Sequence, residues 1–298
     1  MRDSRVRHCA TIVMIALLAI APGGVGAAAA QSAAPSSARM AHAAFVAPPG
    51  SNVVTVVARD FALALPKSIP AGLTTFRLLN RGKQEHHLSL VRLDPGKTPA
   101  DALAALIAAG QGPRPAWMHP AGGLNAIMPG AETGVTLELQ PGTYLAFCEV
   151  PGPDPAPHFM KGMVKGFTVT PPMHQAALPK ADLRVTLTEY AFTFSQPLTS
   201  GHHVIAVTNA GQQAHMMVIN HYPPGQGIKE FLAWAYNPQG KPAPGTALGG
   251  VSAMAPGETV VIEEDFPPGH YSLICFTADA TDGKPHFMHG MQREFDIK

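Results

Sequence analysis

"PHFMKGM" occupies residues 157–163, and the same motif returns 128 positions later as "PHFMHGM" at residues 285–291. A second pair of segments repeats at nearly the same offset, because "NRGKQEHH" at 80–87 matches "NAGQQAHM" at 209–216. Low-complexity drift does not produce two matched pairs of this kind. The repeated heptapeptide therefore indicates that the two halves of the chain share one architecture.

The segments between these motifs repeat as well. "PGTYLAFC" at 141–148 matches "PGHYSLIC" at 268–275, and "GGLNAIMPG" at 122–130 parallels "GGVSAMAPG" at 249–257. We interpret the whole pattern as an internal duplication of a unit of about 115 residues, which is long enough to bury its own core.

Short β-branched runs separated by Pro and Gly make up most of both units. The first unit contains "VVTVVA", "TTFRLL", "HLSLVRL", "GVTLEL", "TYLAFCEV" and "GFTVT", and the second contains "LRVTLTEYAFTF", "HHVIAVTN", "HMMVIN", "ETVVIEED", "HYSLICF" and "REFDI". This pattern favours an all-β sandwich or barrel over an α/β fold. One short helix is predicted in each unit, from "TPADALAALIAAG" at 98–110 and from "GIKEFLAWAYN" at 227–237, in the long connection before the cysteine strand.

The N-terminus has the layout of a cleaved export signal. Arg2, Arg5 and Arg7 precede an apolar run at 10–21 that is too short to span a bilayer, and small residues follow it. We therefore predict an export signal at 1–30 and a periplasmic or secreted protein. No later stretch is apolar enough to predict a transmembrane segment in the mature chain.

The remaining boundaries follow from composition. Residues 31–51 are rich in Ala, Ser and Pro, which indicates a flexible leader. The predicted domains are 52–171 and 183–298, and 172–182 is the linker between them. Each domain is expected to fold alone.

Net charge argues against some classes of partner. The full chain has a formal net charge of +1, and loss of the three arginines and one aspartate of the export signal changes it to −1. Neither value indicates nucleic acid or an anionic membrane as a partner.

Two of the three cysteines remain after removal of the export signal, and they occupy equivalent positions, Cys148 and Cys275. A disulfide between them would need the units to pack about a twofold axis through that edge. A small buried hydrophobic role is a second possibility, but it leaves the matched histidines and methionines unexplained. A metal site explains all of them together.

We predict two metal sites with equivalent ligands. The first consists of His86, Cys148, His158 and Met163, and the second of His215, Cys275, His286 and Met291. A thiolate, two imidazoles and a thioether suit copper, whereas zinc gains little from the methionine. Calcium and magnesium are excluded because they take oxygen ligands.

The local sequence supports this grouping. The side chain of His86 shares its strand face with Leu88 and Leu90, so its ring is expected to point into the sandwich, whereas His87 is expected to face solvent. Gly162 and Gly290 are expected to allow the backbone conformation that brings Met163 and Met291 close.

Asn-x-Gly-x-x-x-His, then Pro-Gly-x-Tyr-x-x-x-Cys, then a loop ending His-x-x-x-x-Met, resembles the cupredoxin family of blue-copper domains. The spacing from His to Met, with Gly before Met, is similar to the type 1 site of copper nitrite reductases. The resemblance covers 53–170 and 183–297. It implies two tandem Greek-key β-sandwich domains with type 1-like copper, up to two per chain.

The resemblance leaves several functions open. Electron transfer or copper handling with a redox or copper-exchange partner protein is the first, and a metal-free cupredoxin-like structural or binding module is another. Copper storage or delivery is a third, because Met160, Met288 and His289 add soft ligands to the loops. His289 would also offer an extra nitrogen that competes with Met291.

A multicopper oxidase or nitrite reductase is the enzymatic alternative. Such enzymes connect a type 1 copper to a second copper centre through a histidine beside the cysteine, and the oxidases add His-x-His pairs. Here Phe147 and Ile274 precede the cysteines, and the sequence has no His-x-His. The sequence therefore predicts a protein that is not an enzyme.

Overall fold

The computed structural model of the chain describes residues 47–152, 156–172, 176–236 and 243–298. The predicted export signal and most of the predicted leader lie outside these residues. Within them the chain is all-β apart from two α-helices and two short 3₁₀ turns, as the sequence pattern predicted.

The elements of the two halves follow the same order. The strands of the first half are β1 Asn52–Arg59, β2 Ala62–Ala64, β3 Ser68–Pro70, β4 Gly72–Asn80, β5 His86–Leu93, β6 Met118–Ile127, β7 Glu132–Leu139, β8 Gly142–Phe147 and β9 Val164–Thr170. Those of the second half are β10 Leu183–Thr188, β11 Ala191–Phe194, β12 Gly201–Asn209, β13 His215–Tyr222, β14 Thr246–Met254, β15 Thr259–Phe266, β16 Gly269–Ile274 and β17 Gln292–Ile297. The helices are α1 Pro99–Ala109 and α2 Ile228–Tyr236, and the 3₁₀ turns are His158–Lys161 and His286–His289.

The described strands form two sheets, and each sheet runs through both halves of the chain. One has the order β11-β10-β12-β15-β7-β4-β1-β2, and the other has the order β17-β16-β13-β14-β6-β5-β8-β9-β3. Alternating buried and exposed positions in β1 and β10 show that one face of the first sheet packs on the core. Two sheets that share a core make a sandwich.

Equivalent residues pair with each other where the two halves meet. In one sheet Leu124 of β6 pairs with Val251 of β14, and in the other Val135 of β7 pairs with Ile262 of β15. All four residues are buried. Both pairs join residues 127 positions apart, so the halves are related by a pseudo-twofold axis through this seam. Whether each half folds alone stays a prediction, as does the Greek-key connection within each half.

The first histidines of the two predicted sites lie at opposite ends of the seam strands. His86 pairs with Ile127 at one end of β6, whereas His215 pairs with Met254, which in turn pairs with Ala121 toward the other end of β6. Ala121 and Ile127 are separated by about 20 Å at the usual rise of a strand. Each predicted site therefore has its own end of the sandwich.

The helix of the first half begins as its sequence predicted. Thr98 is the N-cap, and a capping box joins it to Asp101, while Gly110 ends the helix. Ala102 and Leu106 of the helix pack on Phe147, the residue before the predicted cysteine ligand. In the second half Ile228 of α2 packs on Ile274 at the equivalent place. The helices thus cover the strands that carry the cysteines.

Candidate metal centres

The Asn-x-Gly motif fixes the loop that leads into each histidine strand. Asn80 Nδ2 donates to the carbonyl oxygens of Gln84 and Ile127 at 2.8 and 3.0 Å, and Asn80 Oδ1 accepts from the Gly82 N–H at 2.9 Å. The side chain is fully buried, so these bonds are shielded from water. The loop therefore delivers His86 to the end of the sandwich in a fixed position.

The second half repeats this arrangement. Asn209 Nδ2 donates to Gln213 O at 2.8 Å and to Met254 O at 2.9 Å, and its Oδ1 accepts from the Gly211 N–H at 3.0 Å. The loop before His86 and the loop before His215 are thus held by the same set of asparagine hydrogen bonds.

His86, Cys148 and His158 meet in a buried group, each with 0% of its surface exposed. His86 Nδ1 lies 3.1 Å from His158 Nδ1, and Cys148 Sγ lies 3.6 Å from His158 Nδ1. The three ligand atoms all lie within 4.8 Å of one another. The structure therefore brings together three of the four residues predicted for the first site.

His215, Cys275 and His286 form the equivalent group in the second half. The two Nδ1 atoms are 3.0 Å apart, and Cys275 Sγ lies 3.5 Å from His286 Nδ1. All three residues are fully buried. The geometry of the first group is thus reproduced to within about 0.1 Å at both contacts.

The loop after each cysteine returns the second histidine and the methionine. Gly162 and Gly290 end the 3₁₀ turns with φ of 100° and 101°, a region that favours glycine, as the sequence predicted. Met163 is fully buried, and its carbonyl oxygen accepts from the Cys148 N–H at 3.2 Å. Met291 has the same burial and the same bond to Cys275, at 3.1 Å. That the two thioethers are ligands stays a prediction.

Each sulfur also accepts a backbone hydrogen bond. The N–H of His87 points to Cys148 Sγ at 3.4 Å, and the N–H of Met216 points to Cys275 Sγ at 3.5 Å. Such bonds stabilise a thiolate more than a thiol, so they favour metal binding. Because the donor is the main chain, no side chain in the sequence indicated it.

Hydrogen bonds to Nε2 orient both histidines of the first group. Asp60 Oδ1 lies 3.0 Å from His86 Nε2, and a carboxylate oxygen only accepts, so the proton of this ring is on Nε2. The amide oxygen of Gln84 lies 3.1 Å from His158 Nε2 and fixes that ring in the same way. Both Nδ1 lone pairs therefore face the same point, which fits a cation between them.

In the second half the corresponding partners are Glu189 and Gln213. Glu189 Oε1 lies 3.4 Å from His215 Nε2 without hydrogen-bond geometry. Gln213 Oε1 lies 3.4 Å from His286 Nε2, and its amide is oriented because it also accepts from the Ala280 N–H. The second group is therefore held more loosely.

Burial sets the protonation states of both groups. It lowers the pKa of His158 and of His286 to about 4, and it lowers the pKa of His86 and His215 as well. Burial raises the pKa of the Cys148 thiol to about 12. The imidazoles are thus neutral at pH 7, and a metal has only the thiol proton to displace.

The prediction that His87 faces solvent is wrong. The sequence placed it on the solvent side of β5, but only 7% of its surface is exposed, and its Nε2 accepts from the backbone N–H of Glu149. The loop after Cys148 covers this face of the strand, and burial lowers the pKa of His87 to about 3. His87 therefore packs beside the group formed by His86, Cys148 and His158 but does not belong to it.

His289 does not join the second group. Its Nε2 lies 3.1 Å from Asp282 Oδ1, and its ring stacks on Tyr190 at 4.9 Å between centroids. It forms a cluster with Asp279 and Asp282 at the rim of the second site. The expected competition between His289 and Met291 has no support in this geometry.

Both cysteines are free thiols, so the disulfide alternative is excluded. The pseudo-twofold axis that a disulfide would have needed does exist, but it passes through β6 and β14 rather than through the cysteine strands.

The donor set fits copper of the type 1 kind. Each described group offers two neutral imidazole nitrogens and one thiol sulfur that accepts a backbone hydrogen bond, with a buried methionine in the same loop. Nitrogen and soft sulfur ligands of this composition select copper. The prediction of type 1-like copper, up to two atoms per chain, is confirmed in its ligand chemistry.

No model of a known protein family matches the chain, and no curated protein sequence matches it. Several solved structures do match the chain. A reduced auracyanin from the photosynthetic bacterium Roseiflexus castenholzii is 22% identical, with 41% of this chain and 99% of the auracyanin covered and a TM-score of 0.30.

Two longer copper proteins from Nitrosomonas europaea match most of the chain. A copper nitrite reductase is 16% identical, over 83% of this chain and 93% of the reductase, with a TM-score of 0.22. A blue copper oxidase is 15% identical, over 83% of this chain and 85% of the oxidase, with a TM-score of 0.23.

The two-sheet fold with its buried His-Cys-His groups is cupredoxin-like, as the motifs predicted. The prediction that the chain is not an enzyme is contradicted, because the nitrite reductase and the oxidase are enzymes and both match 83% of the chain.

None of the helices in the described residues is long and apolar enough to cross a membrane.

Proposed function

We propose that this chain is an exported copper protein that exchanges single electrons through two type 1-like copper centres. The observation that carries the proposal is the close approach of two histidine Nδ1 atoms to each other and to a cysteine sulfur in each half. In the first half both ring protons are on Nε2, so the two Nδ1 lone pairs face each other, and a cation between them would remove their repulsion.

The ligands proposed for the two centres are those that the sequence predicted. They are His86, Cys148, His158 and Met163 in the first centre and His215, Cys275, His286 and Met291 in the second. Copper supplies the exchange between Cu(I) and Cu(II) when it is bound.

The protein contributes a geometry that is fixed before the metal arrives. The Asn80 loop holds His86, the Gly162 turn holds the methionine, and backbone bonds hold the sulfur. Because these contacts do not depend on the oxidation state, little rearrangement accompanies loss or gain of an electron. That property supports electron transfer as the activity.

Copper delivery is a second candidate, and one observation favours it. Met160 and Met288 occupy equivalent positions in the two 3₁₀ turns and are 53% and 55% exposed, which is unusual for methionine. A thioether at the surface beside each centre suits the passage of Cu(I) to or from a partner protein.

Export to the periplasm or to the medium is part of the proposal. The N-terminal pattern of residues 1–30 supports it, since three arginines and a short apolar run precede small residues. N-terminal sequencing of the protein from cell fractions tests it, and a mature chain that begins near residue 30 is the expected result.

The visible absorption spectrum of protein loaded with Cu(II), together with metal analysis, tests the function. We expect a strong thiolate-to-copper band and about two copper atoms per chain. Bound copper without that band would favour delivery or storage over electron transfer, and no bound copper would overturn the proposal.

A further inference from the structure

The two centres are equivalent in their ligands but differ in the charges at their rims. The rim of the first centre carries four basic side chains, Arg59, Arg81, Lys83 and Lys161. The equivalent residues of the second centre are Thr188, Ala210, Gln212 and His289. The two halves therefore share the predicted ligands but not these basic residues.

Contacts of the structure place Lys161 and Lys83 near the histidines of the first centre. Lys161 Nζ sits 4.8 Å from the centroid of the Phe61 ring, and that ring meets His158 edge-on at 5.2 Å between centroids. The backbone N–H of Lys83 donates to Asp60, which contacts His86. Arg59, Arg81 and Lys83 are exposed. The acids near this centre are Asp60, Glu85 and Glu149, and Glu149 pairs with Arg114. Asp154 lies outside the described residues.

Acidic residues lie around the second centre at other positions, and the first of them, Asp279, is almost fully buried. Asp279 Oδ2 lies 3.7 Å from His286 Nε2, and Asp279 accepts from Tyr190 and from Gln213 at 2.6 and 2.9 Å. The first rim has Phe61 where Tyr190 stands, and it has no hydroxyl to hold such a carboxylate.

Two further acids extend the second rim. Glu189 lies near His215. Asp282, in the loop that follows Cys275, forms an ion pair with Lys284. Lys284 is the one lysine or arginine in the loop of residues 276–285. The second rim is therefore acidic, whereas the first is basic.

We propose that the two ends of the sandwich are docking faces for different electron-carrier proteins. The face around His158 takes a carrier with an acidic surface, and the face around His286 takes a carrier with a basic surface. This inference rests on the proposed function. Charge complementarity steers such partners to one end, because like charges are repelled within the Debye length of about 8–10 Å.

A copper-free experiment tests the two faces directly. The metal-free protein is titrated with paramagnetic hexacyanochromate(III), an anion, or with hexaamminechromium(III), a cation, and amide signals are followed by NMR. The anion is expected to broaden signals at Gly82 and Gly162, and the cation those at Gly211 and Gly290. Broadening of the same amides by both probes would overturn the proposal.

Electron exchange with copper-loaded variants gives the second readout. Cys275→Ser leaves the first centre and Cys148→Ser leaves the second, and hexacyanoferrate(II) then gives one electron to Cu(II), producing hexacyanoferrate(III) and Cu(I). The rate is expected to fall about tenfold with rising salt at the first centre and to rise at the second. Equal salt dependence at both centres would contradict separate faces.

A charge graft provides the matched control. Ala210→Arg with Gln212→Lys gives the second rim two of the basic residues of the first, and the anion is then expected to bind there too. Lys67→Glu changes an exposed charge beside Thr168, toward the far end of β9 from Met163, and should leave both rims unchanged.

The outcomes separate this inference from the proposed function. Absence of the thiolate-to-copper band would overturn the function, while the NMR result, obtained without copper, would still decide the faces. The chain could instead associate with itself at low salt, and Lys83→Glu could abolish that association. This result would overturn the proposal of two different carrier proteins, because the basic face of one copy would then bind the acidic face of another.

Discussion

Asp60 Oδ1 lies 3.0 Å from Nε2 of His86, and the same carboxylate accepts the backbone N–H groups of Lys83 and Gln84. One side chain thus ties the tip of the β1–β2 hairpin to the loop before β5 and to the proposed ligand. The hydrogen bonds to this carboxylate outweigh its partial burial and keep the pKa of Asp60 below its ordinary value. A fixed negative charge therefore stands behind the first centre.

Asp60→Asn is expected to raise the reduction potential of the first centre. Loss of the negative charge 3.0 Å from His86 Nε2 would destabilise Cu(II) relative to Cu(I), by about 50–100 mV after solvent screening. Glu189→Gln should shift the second centre less, since Glu189 lies 3.4 Å from its histidine without a hydrogen bond. Potentiometric titration of each variant measures the shifts.

Asp94→Asn is the control for this change. Asp94 follows β5 at the end opposite His86 and pairs with His119. An equal shift in Asp94→Asn and Asp60→Asn would show that the contact with His86 has no special effect.

Gly82→Ala should abolish the first centre alone. A methyl group at Gly82 would overlap His86 Nε2 and the Asp60 carboxylate, so the ring has to move from its place. Gly211→Ala should abolish the second centre alone, because its methyl group would come within 2.6 Å of His215 Nε2. Copper content is expected to fall from about two to about one per chain in each variant.

Each glycine variant serves as the control for the other. Circular dichroism of both should match the parent protein. Loss of both centres in either variant would mean that the substitution disrupts the fold rather than one site.

Binding of Cu(II) at pH 7 should release about one proton per centre. Burial raises the pKa of Cys148 to about 12 and also raises that of Cys275, whereas the pKa values of His158 and His286 are lowered to about 4. Only the thiols therefore carry a proton that the metal displaces, and affinity should rise with pH through the neutral range.

A pH-stat measurement during copper addition counts the protons. The number released should increase as the pH falls through about 4, where the imidazoles begin to hold protons of their own. Release of no protons at pH 7 would mean that the thiols are not ligands.

The separated halves should fold and then pair. In the whole chain β6 pairs with β14 and β7 pairs with β15, so residues 47–172 alone expose two strand edges. Because equivalent residues meet at this seam, the first half is expected to form a symmetric dimer through its own β6 and β7. Light scattering after gel filtration measures the mass, and a folded monomer at high concentration would contradict the seam.

The sequence predicted most strands and both helices, since their periodicity and caps are local. It did not indicate β6 and β14 as strands, because "GGLNAI" and "GGVSAM" lack a run of β-branched residues. A methyl group at residue 123 would overlap the carbonyl oxygen of Leu88, so the close approach of β5 to β6 requires glycine at this position. The pairing of β6 with β14 thus involves glycine-containing segments whose composition does not ordinarily predict a strand.

The sequence grouped His86, Cys148 and His158, but it gave no role to Asp60 and Glu189. One signal was available, because Asp60-Phe61 and Glu189-Tyr190 repeat at the same offset as the histidines. Phe61 and Tyr190 both adopt φ of 67°, which turns the hairpin and points the acid before each of them at a histidine. A left-handed aromatic residue is rare enough that sequence alone does not predict it.

Copper analysis and visible absorption of Cys148→Ser and Cys275→Ser, beside the parent, test the central claim most directly. Serine cannot supply a thiolate, so each variant should keep about one copper atom and the charge-transfer band of the other centre. The double variant should lose the band completely. If each single variant retains the full copper content and the full band of the parent, neither cysteine is a ligand, and the two-centre account is contradicted.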